Sequence, residues 1–283
     1  MNRKIIDKVQ GFRTKDGAGV SLVRVLSNQT VMTYDPILML DSFDSTDPDD
    51  YIAGFPFHPH RGIETISYLV KGKMIHADSM GNTDAISDGE VQWMTAGSGI
   101  MHEEKLPPAE RMLGVQLWLN LAKKDKMTHP KYHAIKHDDI QKIDIGVGTL
   151  NLLVGNYKDA SGYQAEYQPL DYYDIELRPN VTFELDVDPD KSIMLFTLLG
   201  KVKVGGEEVA EKTAVKLSEG DRIVIESMDE ATHLLFMSSD RLREPIAWGG
   251  PIVMNTRDAL MNAFDELENG TFIKEGIDYH DNN

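Results

Sequence analysis

His58-Pro59-His60-Arg61-Gly62-Ile63-Glu64-Thr65 is the stretch on which the reading of this chain turns. Successive side chains of a β-strand alternate between its two faces, so residues two apart share one. If this segment is extended, His58 and His60 point the same way. His102-Glu103-Glu104 repeats the device, with His102 and Glu104 two apart. Two such pairs on neighbouring strands would converge imidazole and carboxylate ligands inside a β-structure. A donor set of nitrogen and oxygen without sulfur suits iron, manganese, nickel, cobalt, copper or zinc. Four protein ligands on an ion that prefers six leave positions open for substrate or dioxygen. Two glutamates compete for the fourth place. Glu64 keeps an even spacing from His60, and Glu104 keeps one from His102. The one that does not bind would serve as a proton acceptor or orient a ligand.

The surrounding sequence reads as short strands. Val20 to Leu26, Ile37 to Leu40, Thr65 to Val70, Val91 to Met94 and Leu113 to Leu119 are apolar runs broken by Gly, Asn, Asp and Pro. The texture recurs at Leu150 to Val154, Asp174 to Leu177, Val181 to Leu185, Ile193 to Leu199, Ala214 to Leu217, Ile223 to Glu226 and Leu234 to Met237. Many short strands at this spacing predict barrels or sandwiches. The clearest helix lies near the C-terminus, where Leu260, Phe264 and Leu267 form one stripe. Asn255 or Thr256 caps it and Asn269-Gly270 stops it.

The two halves resemble each other. Leu69-Val70-Lys71-Gly72-Lys73-Met74 matches Leu198-Leu199-Gly200-Lys201-Val202, and Asp88-Gly89-Glu90-Val91 matches Glu219-Gly220-Asp221-Arg222-Ile223. The expected class is therefore mostly β: two antiparallel β-barrels of the double-stranded β-helix type, with a few short helices. Residues 1–130 would form the barrel with the metal site. Residues 131–283 would form a second, metal-free barrel with the C-terminal helix, joined through the polar stretch from Lys123 to Asp144. Offsets counted from the matched glycines set Asp186 and Asp188 against His58 and His60, and His233 against His102. The acidic pair reads as a turn and His233 as a packing residue, so one metal per chain is expected. His76 is either an outward strand residue or an acid–base group near the site. His129, His133 and His137 have helical spacing, but Pro130 interrupts them and they read as a solvated connector. Trp93 and Trp118 lie in apolar strand runs and are expected to anchor the core.

Acidic residues outnumber basic ones by 46 to 29, a net charge of −17 that disfavours direct contact with phosphate backbones. The absence of cysteine excludes disulfides, thiolate ligands and cysteine nucleophiles. No apolar stretch follows the basic residues near Met1, and none approaches the roughly 20 residues of a membrane helix. A cytoplasmic protein without membrane contact is expected.

Three blocks resemble the pirin family, a branch of the cupin superfamily. They are His58 through Thr65, Gln92-Trp93-Met94-Thr95-Ala96-Gly97-Ser98-Gly99-Ile100-Met101-His102, and Gly114-Val115-Gln116-Leu117-Trp118-Leu119-Asn120-Leu121. Arg243-Glu244-Pro245-Ile246 and Gly250-Pro251-Ile252-Val253-Met254-Asn255-Thr256 extend the likeness toward the C-terminal helix. The resemblance implies a bicupin whose metal is held by His58, His60, His102 and, two residues on, Glu104. It implies iron(II) as the usual metal. Some members resemble quercetinases, which open a flavonol ring with dioxygen. Animal members look like nuclear, iron-dependent co-regulators of transcription, which would add the nucleus as a location and a protein as partner. Where the family often has arginine, this chain has Ser98, which removes a cation expected near the mouth of the site. Two functions follow as expectations. One is a metal-dependent dioxygenase acting on a flavonol-like small molecule, with Glu64 or Glu104 taking its proton. The other is a metal-loaded protein-binding module.

Overall fold

The computed structural model describes residues 1–274. The apolar runs are strands, and the observed elements extend them by a few residues: Ile63–Lys71, Val91–Thr95 and Met112–Asn120 in one half, Leu170–Leu177, Ser192–Leu199 and Thr232–Ser239 in the other. Among the described residues helix is confined to short pieces, of which Arg257–Glu268 is the longest. Thr256 caps it, its hydroxyl accepting from the Ala259 amide at 3.2 Å. Among the described residues no helix is long and apolar enough to cross a membrane.

Duplication is plain in the strand order. One four-stranded sheet runs Phe55–His60, Ile100–Lys105, Met74–Asp78, Thr83–Ile86; its counterpart runs Thr182–Asp186, Arg222–Ser227, Val202–Val204, Glu207–Val209. Each is accompanied by a seven-stranded sheet. In the first, Val91–Thr95, Ile63–Lys71, Met112–Asn120 and Ile37–Ser45 are successive neighbours. In the second, Thr213–Leu217, Ser192–Leu199, Thr232–Ser239 and Leu170–Leu177 take those places. The sheets form two jelly rolls rather than closed barrels.

The compact units follow the sheets and not a single cut in the chain. One comprises Met1–Phe12, Val23–Leu38 and Asp138–Leu242; the other comprises Arg13–Leu22, Met39–His137 and the segment from Arg243 onward. The N-terminal strand Ile5–Gln10 pairs antiparallel with Thr213–Leu217, in the place that Lys131–Ile135 takes beside Val91–Thr95 in the other unit. The passage from Met39–His137 to Asp138–Leu242 falls inside the expected polar join.

The interiors differ. In the unit containing Thr182–Asp186, the four-stranded sheet presents Phe183, Leu185, Ile223, Ile225, Val202 and Val204 to a continuous apolar core. In the other, the corresponding strands carry His58, His60, His102 and His76. Burying such groups requires partners for their nitrogens.

Candidate metal centre

Strand register brings the sequence motifs together. His102 pairs directly with His58 and Ile100 with His60. On its other side Ile100–Lys105 pairs His102 with Asp78 and Glu104 with His76. Directly paired residues share a face, so His58, His60, His102, Glu104, His76 and Asp78 all project to one side. The three expected histidine ligands offer nitrogens that lie within 4.8 Å of one another. His60 and His102 are buried and His58 is partly exposed, which puts His58 on the solvent side.

Hydrogen bonds decide which nitrogens face the centre. His58 Nδ1 lies 2.8 Å from the Pro56 carbonyl, and His60 Nδ1 lies 3.1 Å from the Pro251 carbonyl. A carbonyl only accepts, so each Nδ1 carries the proton and donates it. In neutral rings both Nε2 atoms are then bare, and they stand 3.1 Å apart. Two lone pairs face to face repel unless a cation lies between them. Metal–nitrogen bonds of about 2.1 Å at a right angle would separate two such nitrogens by about 3.0 Å. His102 Nε2 is buried with no hydrogen-bond partner among the described residues, a state that costs about 1–3 kcal/mol if nothing else binds there. Burial, with the neighbouring His58, pulls His60 down to about 3, against a small opposing pull from the Pro251 carbonyl. Burial and the adjacent His60, His58 and His76 hold His102 well below the ordinary histidine value. Neutral imidazoles with inward lone pairs fit a transition metal.

Glu104 reaches the same face but lies outside the group whose donor atoms fall within 4.8 Å. Its two oxygens accept from Gln92 Nε2 at 2.6 Å and Gln116 Nε2 at 2.9 Å. Sequence reasoning missed both glutamines, and strand parity is the signal that finds them. Ser67 pairs with Gln92 on one side and Gln116 on the other, so the two amides share a face. Glu64 is placed elsewhere. It pairs with Thr95 and Leu119, one residue out of step with that set, and therefore projects from the opposite face of the sheet. There Glu64 Oε1 accepts from Trp93 Nε1 at 3.0 Å and Thr95 Oγ1 at 2.7 Å. The structure does not bring Glu64 to the histidines.

Other expected residues resolve as follows. His76 is fully buried in the site, while His129, His133 and His137 are exposed and share no helix: His133 lies in the strand Lys131–Ile135 and His137 opens the single 3-10 turn His137–Asp139. Ser98 is 5% exposed in the turn before Ile100–Lys105, not at an open mouth, and the cation that reaches this turn is Arg61, whose Nε donates to the Ser98 carbonyl at 2.7 Å. Trp93 and Trp118 are buried, and the Trp118 ring lies edge-on to His60 with centroids 5.0 Å apart. His233 is not the counterpart of His102, because its strand, Thr232–Ser239, corresponds to Met112–Asn120. Its Nε2 lies 2.6 Å from Asp174 Oδ1 and 3.8 Å from Glu176 Oε1. Burial draws His233 down, but the Asp174 hydrogen bond and the two carboxylate charges outweigh it, and the net shift is upward. Asn151 Nδ2 also donates to Asp174, at 3.1 Å. An ion pair accounts for this cluster.

Comparison with known proteins agrees with the geometry. The family model described as Pirin matches residues 19–119, and that described as the Pirin C-terminal cupin domain matches residues 172–273. This chain belongs to the pirin family. A pirin-like protein of Caulobacter vibrioides is 39% identical over 276 residues, covering 95% of this chain and 99% of its own. Pirin of Homo sapiens is 32% identical over 275 residues, covering 95% and 93%. The crystal structure of a quercetin 2,3-dioxygenase from Acinetobacter baumannii matches with a TM-score of 0.88 at 33% identity, covering 96% of this chain and 99% of the other. As a pirin-family protein the chain has two cupin domains, and the histidine cluster lies in the stretch matched by the first model.

Proposed function

We propose that this pirin-family chain is a metal-dependent dioxygenase of the quercetin 2,3-dioxygenase type, with a flavonol-like small molecule as substrate. It would hold one divalent transition metal, iron(II) foremost, through His58, His60, His102 and Glu104. The observation that carries the reading is the convergence of bare Nε2 atoms, two of them 3.1 Å apart with their protons committed to carbonyls on the far side. The likeness to a quercetin 2,3-dioxygenase structure over nearly the whole chain supports the reaction class.

When bound, the metal would supply Lewis acidity to a substrate hydroxyl and a redox centre for dioxygen chemistry. The chain's own residues do the rest. Pro56 and Pro251 carbonyls hold the His58 and His60 rings with Nε2 inward. Gln92 and Gln116 hold the Glu104 carboxylate on the same face, where it can accept the proton of a hydroxyl that loses it. Trp118 beside His60, with Trp248 at 5.6 Å from it, offers an aromatic wall to a planar ring. Glu64 has no part in this scheme, since it works on the other face of its sheet.

Elemental analysis and oxygen uptake test the reading together. One metal per chain is expected, lost in His58→Ala and His102→Ala and kept in His233→Ala. The iron-loaded protein should consume oxygen in step with loss of quercetin absorbance. Two metals per chain would refute the stoichiometry. Failure to consume oxygen with any flavonol would refute the reaction and favour the protein-binding reading.

A further inference from the structure

His58 and His60 are oriented by backbone carbonyls. His102 is oriented by something different. Its Nδ1 lies 3.4 Å from His76 Nδ1, and on the far side of the His76 ring Nε2 lies 2.9 Å from Asp78 Oδ2. Both His76 and Asp78 are fully buried. Asp78 is itself pinned. Its Oδ1 accepts from the Met80 amide at 2.9 Å and the Asn82 amide at 3.1 Å, and its Oδ2 also accepts from Asn82 Nδ2 at 2.9 Å. The Tyr132 ring stacks on His76 at 4.2 Å between centroids and 17° between planes, which fixes the plane of the imidazole.

With both imidazoles neutral, proton bookkeeping along this line admits one arrangement. The Asp78 carboxylate accepts only, so the proton of a neutral His76 sits on Nε2. His76 Nδ1 is then bare and takes the proton of His102 Nδ1. That leaves His102 Nε2 bare, the buried nitrogen with no other partner among the described residues. The opposite tautomer of His76 would set a lone pair against a carboxylate oxygen at 2.9 Å. We propose that His76 and Asp78 are positioning residues that set the tautomer of His102, so that its Nε2 is presented to the metal. This rests on the metal reading above and adds a role for two residues that do not themselves touch the ion. Partners of this kind typically alter metal affinity by about 10–100-fold.

The two Asp78 oxygens are not equivalent, and this gives a sharp test. Two backbone N–H groups require an acceptor at Oδ1, so the oxygen of an asparagine would stay there and its NH₂ would take the place of Oδ2. That NH₂ would donate to His76 Nε2, move the His76 proton to Nδ1, and force His102 into the tautomer with Nε2 protonated. Loss of function through a wrong tautomer with little change of shape is the effect expected of such an exchange. The probe is Co(II), bound to the full chain in competition with a chelator. Asp78→Asn and His76→Leu should each weaken Co(II) by about 10–100-fold. His76→Gln should recover most of the loss, because its amide oxygen can accept from His102 Nδ1. Proton NMR of the Co(II) protein should show three shifted, exchangeable ring N–H signals, and His76→Leu should lose one to solvent exchange.

Wild-type affinity in Asp78→Asn would overturn the proposal. So would equal losses in His76→Gln and His76→Leu, which indicate packing alone. A wild-type protein that binds no Co(II) would sink the metal reading and this proposal together. One that binds Co(II) yet oxidises no flavonol when loaded with iron would sink only the reaction, leaving the positioning role to stand on the affinities.

Discussion

Glu104→Ala separates a scaffold role from a ligand role. The Glu104 side chain is 1% exposed and receives one amide donor on each oxygen. Truncation would strand Gln92 Nε2 and Gln116 Nε2. A stranded buried donor costs about 1–3 kcal/mol. Gln92 is fully buried and belongs at the upper end. Gln116 keeps a long contact to Ser67 Oγ at 3.4 Å and belongs lower. Together they predict a loss of about 4 kcal/mol in the metal-free protein, before any cavity term. Glu104→Gln should behave otherwise. Its new NH₂ would meet one of the two donors, but Gln92 Oε1 has no partner among the described residues, so Gln92 can turn its amide over and accept. The remaining loss is the charge assistance of those bonds, about 1–2 kcal/mol. Urea unfolding of chelator-treated protein, followed by tryptophan fluorescence, measures both. All three tryptophans, Trp93, Trp118 and Trp248, lie in the unit that holds the site, so the signal reports that unit. The reasoning fails if the two variants are equally stable, or if Glu104→Ala unfolds with wild type. A Glu104→Gln protein that folds well but holds metal poorly would identify the carboxylate as a ligand.

Three further outcomes are expected. Glu64→Gln should leave metal content and any flavonol turnover near wild type, because Glu64 faces Trp93 and Thr95; a selective loss of turnover would return it to the reacting set. Gly62→Ala should lower the melting temperature and metal content together: φ is +78° there and an added Cβ would lie 2.1 Å from the Val253 carbonyl oxygen, so an unchanged melting curve would contradict the geometry. The left-handed backbone alone costs about 1–2 kcal/mol. His233, raised by Asp174 against its burial, should stabilise the fold fully below its unfolded value of about 6.5 and lose that contribution as pH rises through its higher folded value. His233→Leu should flatten that slope in melting curves taken across neutral and mildly alkaline pH, and a slope that persists would assign it to another group.

Much of this was legible because strand alternation is a local rule. His58 with His60, and His102 with Glu104, share faces as their even spacing requires, and the register of Ile100–Lys105 against Phe55–His60 then brings the pairs together. His76 and Asp78 are spaced in the same way, and the rule that found the histidine pair would have flagged them as a unit. The apolar runs were legible for the same reason, since their β-branched and aromatic residues fit a pleated, half-buried surface.

The failures came where counting ran through a turn. Glu64 is an even number of residues after His60, but Phe55–His60 ends there and Gly62, at φ +78°, redirects the chain before Ile63–Lys71 begins in another sheet. Parity holds within a strand and is reset by every left-handed glycine between strands, so the spacing carried no information about facing. The same error displaced His233. Gly72 and Gly200 are true equivalents, each following the third strand in the order of its seven-stranded sheet, Ile63–Lys71 or Ser192–Leu199. Gly89 precedes Val91–Thr95, whereas Gly220 follows Thr213–Leu217, the equivalent strand, so an offset from that pair lands one strand late. With the register corrected, the strand equivalent to Ile100–Lys105 is Arg222–Ser227, whose inward residues are Ile223 and Ile225. The second cupin domain therefore presents hydrocarbon in the strand where the first presents His102 and Glu104. The expectation of one metal per chain then rests on what fills that interior rather than on the absence of a His-x-His pair.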